Sequence, residues 1–231
     1  MAACTNRKNE FIDNTFDMLG RTLGASSLAF YSVDGDYNLY DFRCSGVPRE
    51  FFRLYLCEMH KLDPLHVRRV ASRPDRVVRM QDAPTYMEQG EIDEYKRFLR
   101  RYDFIENIDI LFRSEGEIKA GLSVIWREKD RRPIETLHQL ANDLQPFIEY
   151  ALWTHVDMPK GDPMIKATKT FHLTPRESEV VKLLCFGRTN ADIATCLGIG
   201  VSTVKTHLIR IFDKTGVETR AGVVARFSAF S

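Results

Sequence analysis

Residues 171–227 read FHLTPRESEVVKLLCFGRTNADIATCLGIGVSTVKTHLIRIFDKTGVETRAGVVARF, punctuated as four short helices. Thr174, Pro175 and Glu177 form the pattern of a capping box with proline at the first helical position. Val180, Leu183 and Leu184 then recur at helical spacing, and Gly187 ends the run with a residue free to adopt positive φ. Thr189 and Asp192 repeat the capping box, Ile193, Ala194 and Leu197 form an inward face, and Gly198 closes that helix. A third helix is expected from about Gly200–Ser202 to Gly216, with Val204, Leu208 and Ile211 inward. Thr219 caps a fourth, Arg220 to Ala229. Two short helices, a glycine-containing turn and a longer helix make a helix-turn-helix, whose last helix enters the major groove. Thr203, Lys205, Thr206 and Arg210 are left to face outward: hydroxyls that bond bases or phosphates, and cations that neutralise phosphate. The bland reading is a four-helix tip with a solvated polar face.

Leu173-Thr174-Pro175-Arg176-Glu177, Gly187-Arg188-Thr189-Asn190, Ile193-Ala194 and Thr203-Val204-Lys205-Thr206-His207-Leu208 together resemble the C-terminal domain of LuxR-type transcription regulators. The resemblance implies a homodimer on an inverted-repeat operator in double-stranded DNA, with RNA polymerase as a further partner. It implies DNA contacts from Thr189, Asn190, Ser202, Thr203, Lys205, Thr206 and Arg210. Gly200 stands where the family usually has a capping serine, which weakens the cap without voiding the motif.

The chain has 231 residues, 44% hydrophobic and 28% charged, with room for a domain of about 160 residues beside a small one. No apolar run is long enough for a bilayer and MAACTNRKNE has no signal-peptide core, so a cytoplasmic protein without a membrane partner is expected. The net charge of +1 conceals an asymmetry. Residues 160–231 carry eleven Lys/Arg against six Asp/Glu, and the remainder carries 22 against 26. A basic C-terminal module beside an acidic domain fits nucleic-acid binding by the former. Cys4, Cys44, Cys57, Cys185 and Cys196 show no ligand spacing, so thiols are expected and neither a metal nor a cofactor is implied.

Upstream, the apolar spacing predicts a helix over Asn9–Leu23, a hairpin of Ser27–Val33 and Leu39–Cys44, and helices over Pro48–His60 and Leu65–Ala71. A short strand at Val77–Met80, a helix at Glu91–Tyr102, a second hairpin of Ile108–Arg113 and Ile118–Arg127, and a long helix Ile134–His155 follow. The fold class is α+β: an antiparallel sheet between helices, an α-β-α sandwich resembling PAS or GAF sensory domains, then an all-α helix-turn-helix domain. The expected domains are 1–157 for sensing, 158–170 as linker and 171–231 for DNA binding.

Phe51, Tyr55, Asp63-Pro64 and the strand Ala120-Gly121-Leu122-Ser123-Val124 resemble the acyl-homoserine-lactone-binding half of the quorum-sensing LuxR-type regulators. There the aspartate accepts a ligand amide hydrogen, while tyrosine and a small hydroxyl residue donate to carbonyls. The resemblance implies a small-molecule site at Phe51, Tyr55, Asp63 and Ser123, with Tyr31 and Phe42 as aromatic walls. Phe51 replaces the family's tryptophan, and none lies near Val77–Met80. The signal is then an acyl-homoserine lactone or, better matched, a different amide-containing or aromatic molecule. Alternatives stay open: Phe51 and Tyr55 as core, Asp63 as a helix cap, and a ligandless first domain serving dimerisation or protein docking. A receiver domain is disfavoured, since the chain opens on a helix and its strands come as hairpins. Nor is an enzyme expected. No GxGxxG, GxSxG, P-loop or HExxH occurs, the six histidines lack metal spacing, and His66 near Asp63 reads equally as an acid-base pair on a helix turn or as a solvated ion pair.

Overall fold

The computed structural model describes residues 2–130, 134–156 and 163–228, with side chains for 7–83, 86–130, 135–156 and 164–227. The chain divides into two compact units, Met1–Met158 and Pro159–Ser231.

The first unit is built on a five-stranded antiparallel sheet of order β2-β1-β5-β4-β3. Its strands are β1 (Ser27–Val33), β2 (Leu39–Ser45), β3 (Val77–Arg79), β4 (Phe104–Ser114) and β5 (Glu117–Arg127). Strand alternation sends Leu28, Phe30, Ile108, Ile110, Leu122, Val124 and Trp126 to one face. There they meet α1 (Ala2–Leu23) and α5 (Ile134–His155) in one continuous apolar core. Trp126 is buried and donates its Nε1 hydrogen to the Leu23 carbonyl at 3.0 Å. The opposite face carries α2 (Arg49–Cys57), α3 (Val67–Val70) and α4 (Gln89–Arg100). Its apolar contacts fall into two separate clusters. One joins Tyr31, Val33, Leu65, Leu111 and Ile118; the other joins Phe51, Met80, Tyr95, Phe98, Phe104 and Ile125.

Several elements differ from the spacing-based expectation. The helix expected over Leu65–Ala71 shrinks to Val67–Val70, because His66 is still extended (φ −54°, ψ 132°) and Leu65 is held by a turn. The Pro48–His60 helix ends at Cys57 and tightens into a 3-10 turn at Met59–Lys61. β4 starts four residues earlier than expected, since a bulge at Phe104–Glu106 breaks the alternation there.

The second unit consists of α6 (Pro163–Thr170), α7 (Pro175–Cys185), α8 (Asn190–Leu197), α9 (Val201–Thr215) and α10 (Arg220–Ser228). Residues 163–170, expected as linker, form α6, whose Ala167 is buried in this unit's core. Residues 157–162 and the expected end of α10 at Ala229 lie outside the described residues. Both capping boxes are present, and Gly198 and Gly216 end α8 and α9 at φ 62° and 67°.

Candidate functional sites

In the second unit each buried position of α9 serves the core: Val204, Leu208, Ile211 and Thr215. Ser202, Thr203, Lys205, Thr206 and Arg210 are all exposed, as the amphipathic spacing requires. Gly200 caps α9 without a side-chain bond, which leaves the first amides of the helix open to an anion. Thr206 Oγ1 donates to the Ser202 carbonyl at 3.2 Å. Thr189 is exposed, but its hydroxyl is engaged with Asp192 in the cap of α8, and Asn190 beside it is half-buried. Sequence reading passed over Ile209, which is 60% exposed on the same face as Lys205 and Arg210. An apolar residue turned to water on a basic helix face was the available signal. The helix is held from behind: Glu177, buried, accepts from Thr174 N at 2.8 Å and from Lys214 Nζ at 2.7 Å.

Val223 and Phe227 are buried in this unit's own core, with Phe227 against Phe171 at 5.5 Å between ring centroids. A domain of four short helices alone would have little core to cover them. α6 supplies that cover, because Ala167 and Met164 close the same core.

In the first unit the polar residues of the second sheet face converge on two buried carboxylates. Asp63 is 6% exposed; its Oδ2 accepts from Tyr55 Oη at 2.8 Å and its Oδ1 from Leu65 N at 2.9 Å. The Tyr95 hydroxyl adds a further bond to it. Asp109, 4% exposed on β4, accepts from Tyr31 Oη at 2.6 Å through Oδ2, while its Oδ1 has no hydrogen-bond partner. Ser123 stands directly across the β4–β5 ladder from Asp109 and favours its charged form. Tyr31 reaches Asp109 over Gly121: a Cβ there would lie 2.3 Å from the Tyr31 hydroxyl. Burial, then the charge of Asp63, pushes the Asp109 carboxyl up to about 7. Burial also raises Asp63, against the bonds from Tyr55 and Leu65 that favour its ionised form. Tyr31, Tyr55 and Tyr95 are driven well above the usual phenol range, first by burial and then by these carboxylates.

Of the residues expected at a ligand site, Tyr31, Tyr55, Asp63 and Ser123 thus share one polar cluster. Phe51 is buried and stacked on Phe98 at 4.7 Å, with Tyr102 and Phe104 at its edges. Phe42, half-buried, lies edge-on to Phe52 at 5.0 Å and 6.3 Å from Tyr31. Asp63 holds the turn before α3 but does not cap it; His66 does, accepting from Arg68 N at 3.3 Å. Nor is His66 in a solvated ion pair: burial first, then His60 and two arginines, lower it to about 4. Asp109 and Tyr95 were missed, although an aspartate inside the apolar run Ile108–Leu111 was a legible signal. Cys44 and Cys185 are free thiols, and burial pushes Cys185 up to about 11, away from thiolate reactivity. Among the described residues no His/Cys/Asp/Glu group could hold a metal ion, and no helix is long and apolar enough to cross a membrane.

Residues 172–227 match the GerE family, the bacterial regulatory proteins of the luxR family. The "Monoamine regulon transcriptional regulator" of Klebsiella aerogenes is 26% identical over 221 residues, 96% of this chain and 92% of that protein. The probable transcriptional regulatory protein SgaR of Hyphomicrobium methylovorum is 40% identical over 73 residues, 32% of either chain. The crystal structure of Escherichia coli SdiA aligns at 14% identity with a TM-score of 0.45, covering 96% of this chain and 90% of that one. Residues 172–227 are therefore a helix-turn-helix domain of the luxR family.

Proposed function

We propose that this luxR-family regulator is ligand-responsive: residues 1–157 sense a small molecule at the Tyr55–Asp63 face, and residues 171–231 place α9 in the major groove of an inverted-repeat operator. It acts in the cytoplasm as a homodimer, without catalysis, and contact with RNA polymerase belongs to the same reading. The observation that carries the DNA half is the exposed set Ser202, Thr203, Lys205, Thr206 and Arg210 on a helix whose other side is buried. Lys205 and Arg210 neutralise phosphate, while the hydroxyls and Ile209 are of a size to meet base edges and thymine methyls. Operator titrations of Lys205→Ala at several salt concentrations test it. The variant should bind more weakly, with a log–log salt slope shallower by about 0.9 for a lost phosphate contact. Unchanged affinity and slope would remove α9 from the groove.

A second reading, in which the first unit only dimerises or docks a protein, is favoured by one observation. Phe147 and Tyr150 on α5 are 76% and 69% exposed, large aromatics one helical turn apart.

A further inference from the structure

The sheet face that bears Asp63 and Asp109 is interrupted where the other face is continuous. Along β4, Leu111 belongs to one apolar cluster and Phe104 to the other, with Asp109 and Asn107 between them. Along β5, Ile118 and Ile125 divide in the same way, with Gly121 and Ser123 between. In this gap the side chains are small. Ser123 lies on the middle strand and its ladder partner Ala29 on β1, yet both keep accessible surface while the residues around them are buried. The accessible surface is thus at Ala29 and Ser123, with Asp109 directly across the ladder from Ser123 and Asp63 near enough to act on Asp109 electrostatically.

What surrounds this surface is rich in acceptors. The hydroxyls of Tyr31, Tyr55 and Tyr95 already donate to the carboxylates. Two buried acceptor atoms have no partner: Asp109 Oδ1, and Asn107 Oδ1 two residues before it on the same strand face. Such groups are costly to leave unmade. Neither Asp63 nor Asp109 forms an ion pair among the described residues. The facing charged groups are few. On the segment around α3, Arg69 attracts Asp63 at longer range while its Nη2 donates to the Lys61 carbonyl at 2.7 Å. His60 and His66, beside Tyr55, are both lowered below the usual imidazole range by burial first. Two acids that repel each other, with unused acceptors and no counter-cation, lack one component: a positively charged hydrogen-bond donor. A secondary amide, such as an acylated amine, would bring a single donor and no charge. It could satisfy Asp63 and would leave Asp109 Oδ1 unpaired.

We propose that the signal is a small organic amine bound as its ammonium ion, with N–H groups shared between Asp63 and Asp109 and its apolar body over Ala29 and Ser123. Three N–H donors on one compact charge suit two carboxylates and the Asn107 carbonyl. The rings of Tyr31, Tyr55 and Tyr95 line the approach and add cation–π attraction in a dry site. The inference rests on the ligand-sensing half of the proposed function and names the chemical class of that ligand.

The test uses the full chain at pH 7.5, with phenethylamine and hexylamine as cationic probes. Phenethyl alcohol and N-acetylphenethylamine keep the body without the charge. Calorimetric titration should show binding of an amine probe and at least about a tenfold weaker binding of its neutral counterparts. Asp109→Asn should lose about tenfold or more in amine affinity while gaining nothing for the neutral probes. If that variant fails to fold, judged by circular dichroism, Asp63→Asn serves for the same reading. Preference for the acetylated amide over both amines would overturn the inference and leave ligand sensing standing. Absence of binding by any probe, with operator binding intact, would overturn both. Amine affinity unchanged in a folded Asp109→Asn and Asp63→Asn pair would move the amine elsewhere and overturn the inference alone.

Discussion

Near neutral pH the Asp109 carboxyl is poised between its two forms, since burial and the charge of Asp63 bring it to about 7 from the usual 3.8. The sign of its effect on stability follows. Between these values the folded state holds a proton that the unfolded chain has released, so stability falls as pH rises from about 4 to about 7. Above that range Asp109 carries a buried charge beside Asp63. Asp109→Asn keeps the shape without the second charge. It should stabilise the ligand-free protein at pH 8 by on the order of 1–3 kcal/mol, an advantage that disappears toward pH 4. Thermal melts of both proteins across that range check this; parallel curves would show that Asp109 is not titrating there. The same side chain that costs stability without ligand is the one that gives an ammonium its affinity. Strain of this kind at a binding site is the usual place for a local rule to be broken.

At the scale of an element, α9 depends on the cap of α7. Glu177 is buried yet closes the capping box and pairs with Lys214 of α9, tying the start of one helix to the last turn of the other. Burial raises this carboxyl, but the bonds from Lys214 and Thr174 outweigh it and leave it below the usual range. A depressed carboxyl contributes stability that is present above the unfolded value and lost as pH falls through the folded one. Glu177→Gln should therefore weaken the second unit at neutral pH and flatten its acid limb. Thr174→Ala should cost about 1 kcal/mol with little change in pH dependence. Hydrogen exchange of the α7 amides between pH 3 and 7 separates the two. Matching acid limbs for wild type and Glu177→Gln would count against the pair as the acid-sensitive element.

For the whole molecule, the open question is pairing, since Val223 and Phe227 are consumed by their own core. Among the described residues, Phe147 and Tyr150 of α5 are the most exposed large apolar side chains, and a second copy of this chain is the partner that the proposed inverted-repeat operator requires. Phe147→Glu with Tyr150→Glu should shift sedimentation from dimer toward monomer and weaken operator binding, while a folded circular-dichroism spectrum persists. A wild-type protein that sediments as a monomer with and without operator would end the dimer reading.

Much was legible before any coordinates. Thr174, Glu177, Thr189, Asp192, Gly198 and Gly216 act within a few residues of themselves, so their capping chemistry is written locally and the helix-turn-helix follows from it. The β1–β2 and β4–β5 hairpins are local in the same sense. Tyr55 and Asp63 were accessible because eight residues separate them, and a family resemblance spans that distance. Asp109 was not recognised, for its meaning comes from Tyr31, 78 residues away, and from a sheet order that sets β5 between their strands. Sequence alone likewise showed Val223 and Phe227 as apolar but not as covered, since α6 had been read as linker. Local hydrogen bonding is dictated by neighbours in the chain. Burial, orphaned acceptors and the mutual repulsion of two acids exist only once distant strands are brought together, and the tertiary structure alone decided those.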